Sequence, residues 1–64
     1  MARFDVGEAA DMMIERHGRV AGAVAHRLAA DLLVRGDVAG SRLWRRVAHA
    51  AEAACLTAAD AATG

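Results

Sequence analysis

Four side chains could supply nitrogen or sulfur ligands to a metal ion: His17, His26, His49 and Cys55. A helix turns by about 100° per residue, so the nine positions between His17 and His26 place them on opposite sides. His49 and Cys55, six positions apart, also fall on different faces, and neither a His-x-x-x-His nor a Cys-x-x-Cys spacing occurs. One ligand from each helix stays an open arrangement. The spacing nevertheless predicts no metal site and no cofactor.

Groups suited to catalysis are scarce. Ser41 and Thr57 are the only side-chain hydroxyls besides Thr63, and neither has a histidine at a useful helical offset. Cys55 falls on an alanine-rich apolar face, where a thiol usually behaves as a small buried hydrophobe. Acid–base carboxylates need a pocket, and an alanine-rich hairpin has little volume for one. The sequence predicts a protein that is not an enzyme.

The segment with the most distinctive chemistry is residues 41–46, Ser-Arg-Leu-Trp-Arg-Arg. In one interpretation Trp44 is a core aromatic, and the arginines form a solvated face that pairs with Asp31 or Glu52. In a second, the tryptophan and arginines anchor a protein interface, because these two residue types dominate binding hot spots. Both interpretations remain open.

A third interpretation of this segment is nucleic-acid binding by Arg42, Arg45 and Arg46, which follow a helix and a turn as in a recognition helix. The spacing of small and apolar residues over 29–47 fits a helix-turn-helix poorly. Eight arginines against eight acidic residues give zero net charge, whereas nucleic-acid and anionic-membrane binders carry a basic excess. Nucleic-acid binding is therefore kept as the alternative function.

Alanine dominates the composition, with 18 of the 64 residues, and the chain has no proline. Alanine is the best helix former but buries little apolar surface. A domain of this size buries only about 60% of its unfolded surface and is marginal even with a normal core. Association with another chain would supply the missing apolar contacts.

Nothing in the sequence predicts export or membrane insertion. Acidic residues at positions 5, 8 and 11 interrupt the apolar segment that a signal peptide needs. No run approaches the ~18 apolar residues that span a bilayer. The single cysteine cannot form an internal disulfide. We expect a cytoplasmic protein without membrane contact.

Capping residues predict helices over about 6–17, 19–35 and 38–59, with a frayed tail over 60–64. Asp5 and Glu8 have the spacing of a capping box, and Phe4 could pack on Ala9 as a hydrophobic staple. No alternation of β-branched residues indicates a strand.

Two glycines decide how these helices are connected. Gly36 suits a helix C-terminus and Asp37 can cap the next helix, so the flanking helices return antiparallel. Gly18 could end the first helix, with His17 bonding free carbonyls there. The apolar stripe nevertheless continues across Gly18 in phase, and Arg19 is a poor cap. The predicted fold is all-α, an antiparallel helical hairpin, with three helices if the chain breaks near Gly18.

Two motifs are similar to those of a group of short uncharacterised bacterial proteins. They are Ile-x-Arg-His-Gly at 14–18 and Gly-Asp-x-x-Gly-x-x-x-Trp-Arg-Arg-Val at 36–47. The similarity covers about residues 9–55 and implies a bacterial helical hairpin, with no activity to carry over. The chain departs from the pattern at Arg19 and Val20, where a small or acidic residue would cap a helix better.

The wide apolar stripes and the shortage of large residues predict a small non-catalytic interaction or accessory protein. One hairpin that buried its large residues would still leave Met12, Val20, Val34 and Leu56 partly in water. Two hairpins packed face to face would cover them in a four-helix bundle. We expect a homodimer, with a heteromeric protein complex as the other arrangement.

The predicted interface has Trp44 at or near its seam. Truncation of Trp44 to alanine is expected to cost about 3–5 kcal/mol, enough to unfold so small a domain. The full set of predicted interface residues is Met12, Met13, Leu28, Leu32, Leu43, Trp44 and Val47.

Overall fold

The computed structural model describes the backbone of residues 4–63 and the side chains of residues 4–57. Helix α1 spans Val6–His17, a 3₁₀ turn spans Gly18–Val20, α2 spans Ala21–Val34 and α3 spans Val38–Thr63. No strand occurs within this part of the chain. The prediction of an all-α helical hairpin is confirmed.

Helix α1 begins at the predicted cap. The backbone N–H of Glu8 donates to Oδ1 of Asp5 over 3.2 Å, and the N–H of Ala9 donates to the Asp5 carbonyl. Phe4, expected on Ala9, lies edge-to-face on Trp44 of α3, with ring centroids 5.9 Å apart and planes at 72°. The residue before the cap therefore ties the start of α1 to another helix.

The chain breaks at Gly18, which resolves the question that the sequence left open. Gly18 has φ 58° and ψ −131°, a backbone conformation that L-residues with a Cβ rarely adopt. Its N–H closes α1 on the carbonyl of Ile14. The N–H of Ala21 then donates to the carbonyl of Gly18. This 3₁₀ turn leads directly into α2, so the poor capping ability of Arg19 does not prevent the new helix.

The turn between α2 and α3 is a Schellman motif. Gly36 has φ 89°, and its N–H donates to the carbonyl of Leu33 over 3.0 Å. The N–H of Asp37 donates to the carbonyl of Leu32 over 2.8 Å, while its carboxylate accepts from the N–H of Gly40 over 2.8 Å. Asp37 thus closes one helix and caps the next, as the sequence predicts.

Small residues form the contact between α2 and α3. A Cβ placed on Gly22 would collide with Cγ of Glu52 and lie 3.5 Å from the carbonyl oxygen of Ala48. Because Gly22 has no side chain, the backbone of α2 can lie this close to α3 at Ala48 and Glu52. The buried residues of the two helices are Ala21, Gly22, Ala25 and Ala29 on α2, and Ser41, Val47, Ala48 and Ala51 on α3.

The expected core of large side chains is wrong in its details. The sequence predicts that a single hairpin buries five large residues, Leu28, Leu32, Leu43, Trp44 and Val47. Only Val47 of these is fully buried, and it is the largest fully buried side chain among residues 4–57. Leu28 is 37% exposed, while Leu32, Leu43 and Trp44 are half-buried. The alanines occupy the line of closest approach, so the larger side chains lie along its edges.

Helix α1 packs on the hairpin through Ala9, Ala10 and Met13. Its start contacts Trp44 through Phe4, and the carbonyl oxygen of Gly18 just after its end lies 4.0 Å from Sγ of Cys55. Helix α1 therefore runs parallel to α3 and spans it from Trp44 to Cys55. The hairpin between Trp44 and the turn at Gly36 extends beyond the start of α1.

Helix α3 continues to Thr63, past the predicted end at residue 59 and through most of the tail that was expected to fray. Residues 58–63 contain four alanines and neither proline nor glycine, so nothing in this segment stops the helix. Gly64 and the side chains beyond Thr57 lie outside the described residues.

Enlarging a buried alanine of this contact should destabilise the fold. Ala25 is fully buried, and the change Ala25→Leu is expected to lower the free energy of unfolding by about 1–3 kcal/mol, because the helices must separate. The exposed Ala23 of the same helix provides the control, Ala23→Leu, with an expected change within about 0.5 kcal/mol. Urea denaturation followed by far-UV circular dichroism measures both; equal losses would contradict the alanine contact.

Candidate functional site

An apolar surface lies where the hairpin extends beyond α1. Leu28 and Leu32 are one turn apart on α2, and Leu43 and Trp44 adjoin on α3, where Phe4 contacts Trp44. We call these five residues the hairpin-tip surface. Phe4 is 49% exposed and the others are 37% exposed or half-buried. Large side chains at the surface beside an alanine core are what a protein contact can use.

The predicted interface residues fall into two groups. Leu28, Leu32, Leu43 and Trp44 lie in the hairpin-tip surface, and Met12 is exposed on α1. Met13 and Val47 are buried within the single chain, so they have almost no surface left for a partner. Four of the seven therefore lie on the half of the hairpin nearest its turn.

The residues expected to stay partly in water do so. Met12, Val20, Val34 and Leu56 are all exposed, from 47% for Met12 to 88% for Val34. They are scattered over α1, the 3₁₀ turn and the two ends of the hairpin, so they do not form a continuous apolar patch with one another.

The three arginines of α3, Arg42, Arg45 and Arg46, are exposed. The expected pairing of arginines with Asp31 or Glu52 is not found among residues 4–57. The carboxylate of Glu52 faces two histidines instead, which the spacing of residues along single helices did not indicate.

These side chains form a cluster of three possible ligands, His26 from α2 and His49 and Glu52 from α3. Nε2 of His26 donates to Oε1 of Glu52 over 3.3 Å, and Nδ1 of His49 lies 3.7 Å from the same oxygen. The two imidazole rings stack edge-to-face, with centroids 5.4 Å apart. One ligand atom from each residue lies within 4.8 Å of the others.

Gly22 allows this cluster to form. It lies one helical turn before His26 and has no side chain, so the stem of Glu52 crosses α2 in the space that a Cβ would fill. His49 lies one turn before Glu52 on α3, which puts both on the same face of that helix. The close helix contact therefore positions the carboxylate between the two rings.

Sequence reasoning left open one ligand from each helix but did not identify this cluster, because it compared residue spacing only along single helices. The sequence feature that could have revealed the cluster was the predicted turn between the two helices. His26 lies ten residues before Gly36 and His49 twelve residues after Asp37, so an antiparallel hairpin places them at similar heights. Folding the sequence at this turn and searching across it would have found the pair.

The other candidate residues lie apart from the cluster. Cys55, expected to be a buried hydrophobe, is only half-buried, and its thiol donates to the carbonyl of Gly18 over 4.0 Å. His17 is exposed beside the break at Gly18.

The part of the chain that the structure describes contains no pocket. None of its helices combines the length and apolarity that a bilayer crossing requires. No protein-family model, curated protein or solved structure matches the chain.

The role of Gly22 can be isolated by a double-mutant cycle. Gly22→Ala should lower the free energy of unfolding by about 1–2 kcal/mol, because the new Cβ collides with Glu52. In a Glu52→Ala background the collision is gone, and the same change should stabilise the helix by up to about 1 kcal/mol. The coupling between the two changes is measured by urea denaturation. Additive effects would show that Glu52 does not lie over Gly22.

Proposed function

We propose that the chain is a small non-catalytic interaction protein that associates with a second copy of itself through the hairpin-tip surface. One observation carries the proposal. Alanines occupy most of the core, while Leu28 and Phe4 are exposed, and Trp44 packs on the core but keeps part of its surface accessible where α1 no longer covers the hairpin.

The charges around the surface favour a second copy over a strongly charged partner. Asp31, Arg35, Asp37 and Arg42 flank the hairpin turn, two of each sign, and the chain has zero net charge. A two-fold axis brings the same patch from both copies together, so opposite charges of the two copies can face each other. Two copies that meet at this surface would have Trp44 at the seam, and Leu56, near the other end of α3, would lie outside the interface.

A charge in the hairpin-tip surface should prevent dimerisation. We expect a dimer in sedimentation equilibrium at micromolar concentration, and Leu28→Arg should raise the dissociation constant at least tenfold, because it buries an unpaired charge. Leu56→Arg is the matched control, since Leu56 is 68% exposed near the other end of α3, and it should leave the constant within about twofold.

Far-UV circular dichroism must show that both variants keep the helical content of the parent chain. A folded species at monomer mass, whose melting temperature does not change on dilution, would refute the dimer. An equal effect of both variants would place the interface elsewhere.

The alternative function is nucleic-acid binding by the exposed Arg42, Arg45 and Arg46, which lie within two turns of α3. Contacts of three arginines with phosphates would lower the logarithm of the binding constant with the logarithm of salt concentration, with a slope of about −2 to −3. Titration of a fluorescent DNA duplex at several salt concentrations measures this slope. We expect no binding at physiological salt, and binding that is lost in Arg45→Ala would support the alternative.

A further inference from the structure

We propose that His26, His49 and Glu52 form a binding site for one divalent transition-metal ion, with Zn²⁺ as the ion that the geometry fits best. The site lies between α2 and α3, apart from the hairpin-tip surface, and the three side chains are 42%, 71% and 50% exposed. It would give a chain with an alanine core a cross-link between its two main helices.

Two of the three separations between ligand atoms are close to those of tetrahedral coordination, and all three are within 4.8 Å. Zinc binds imidazole nitrogen and carboxylate oxygen at about 2.0–2.2 Å, which in a tetrahedron separates two ligand atoms by about 3.3–3.5 Å. Oε1 of Glu52 lies 3.3 Å from Nε2 of His26 and 3.7 Å from Nδ1 of His49. Octahedral coordination with similar bond lengths would need neighbouring ligands only about 2.9–3.0 Å apart. Both separations at Oε1 are closer to the tetrahedral than to the octahedral value, so a four-coordinate ion is the geometry to test.

The chemistry of the three donors also selects the class of metal. Two imidazoles and one carboxylate suit Zn²⁺ and its first-row neighbours, whereas Ca²⁺ takes six to eight oxygen ligands and Mg²⁺ six. Three protein ligands leave the fourth position of a tetrahedron to water, and the exposure of the side chains gives water access to it.

The proton balance of binding is simple. Nε2 of His26 donates to Oε1 of Glu52, so the ring must change tautomer before it can bind: its proton moves through solvent from Nε2 to Nδ1, the ring stays neutral, and the Nε2 lone pair and the Glu52 carboxylate become ligands. His49 binds through the lone pair of a neutral ring nitrogen. One bound ion replaces one hydrogen bond with three metal–ligand bonds, two of them to α3 and one to α2.

The surroundings of the site hold the carboxylate in place before the ion arrives. The stem of Glu52 crosses α2 over Gly22, and the ring of His49 packs against that of His26. The ligands stand on helices that already contact each other through Ala25 and Ala48. The backbone of both helices is therefore already in place, and binding has to order only the three side chains.

The test is a Zn²⁺ titration of the untagged full chain against a chromophoric chelator, together with thermal unfolding. We expect one Zn²⁺ per chain and a rise in melting temperature of at least about 5 °C at saturation, because the ion binds only the folded hairpin. His26→Ala, His49→Ala and Glu52→Ala should each weaken binding by at least about tenfold, since changes behind the ligands alone cost 10- to 100-fold.

Two variants serve as controls. His17→Ala removes an exposed histidine outside the cluster, and Cys55→Ser removes the thiol that could bind zinc by itself. Both should bind Zn²⁺ as the parent does. Loss of binding in Cys55→Ser, or full binding in both His26→Ala and His49→Ala, would overturn the assignment, as would the absence of stoichiometric zinc.

The choice of metal has its own measurement. Co²⁺ in place of Zn²⁺ should give the intense visible absorption of a four-coordinate ion, while Mg²⁺ and Ca²⁺ should not displace it. Weak absorption of the six-coordinate type would overturn the tetrahedral geometry. The stoichiometry is measured per chain, so the result does not depend on whether the protein is a dimer.

Discussion

The close contact between α2 and α3 is the constraint on which the rest of the structure depends. Gly22 has no side chain, and Ala25 and Ala48 have the smallest ones, so the two helices meet almost backbone to backbone. The larger residues cannot enter this line and lie along its edges, which leaves Leu28 and Trp44 in partial contact with water. The close approach of the two helices also lets the side chain of Glu52 extend across α2. The exposed apolar surface and the histidine cluster are thus two consequences of one packing geometry.

The sequence predicted the start of α1 and the turn between α2 and α3 because their signals are local: Asp5, Gly36 and Asp37 act through hydrogen bonds to backbone groups a few residues away. It left the break at Gly18 open and ended α3 four residues too early, because no residue near those points gives an equally clear signal. The depth of each residue in the core is not a local property. A hydrophobic pattern predicts that leucine is buried more deeply than alanine. In this fold the close helix contact admits alanine and excludes leucine, so the sequence identified the apolar faces of the helices but not their most buried residues.

The candidate site was less predictable, for the same reason. The distances within it are set by the register of two helices across the turn, and His26 and Glu52 are 26 positions apart in the chain. Exclusion of metal ligands from single-helix spacing treats each helix as isolated. The position of the turn was known from the sequence, but the side-chain reach of Glu52 depended on the missing Cβ of Gly22, which no pattern of charges or apolar residues reveals.

The turn at Gly36 and Asp37 also bears on the order in which the helices form. All its hydrogen bonds join residues at most five apart, and Asp37 serves both helices at once. The loop that closes the hairpin is therefore close to the shortest that two helices allow, and its closure entropy is small. Helix α1, by contrast, reaches Trp44 only across the whole of α2. We therefore expect the hairpin to form first, because its contacts are more local, and α1 to dock on it later.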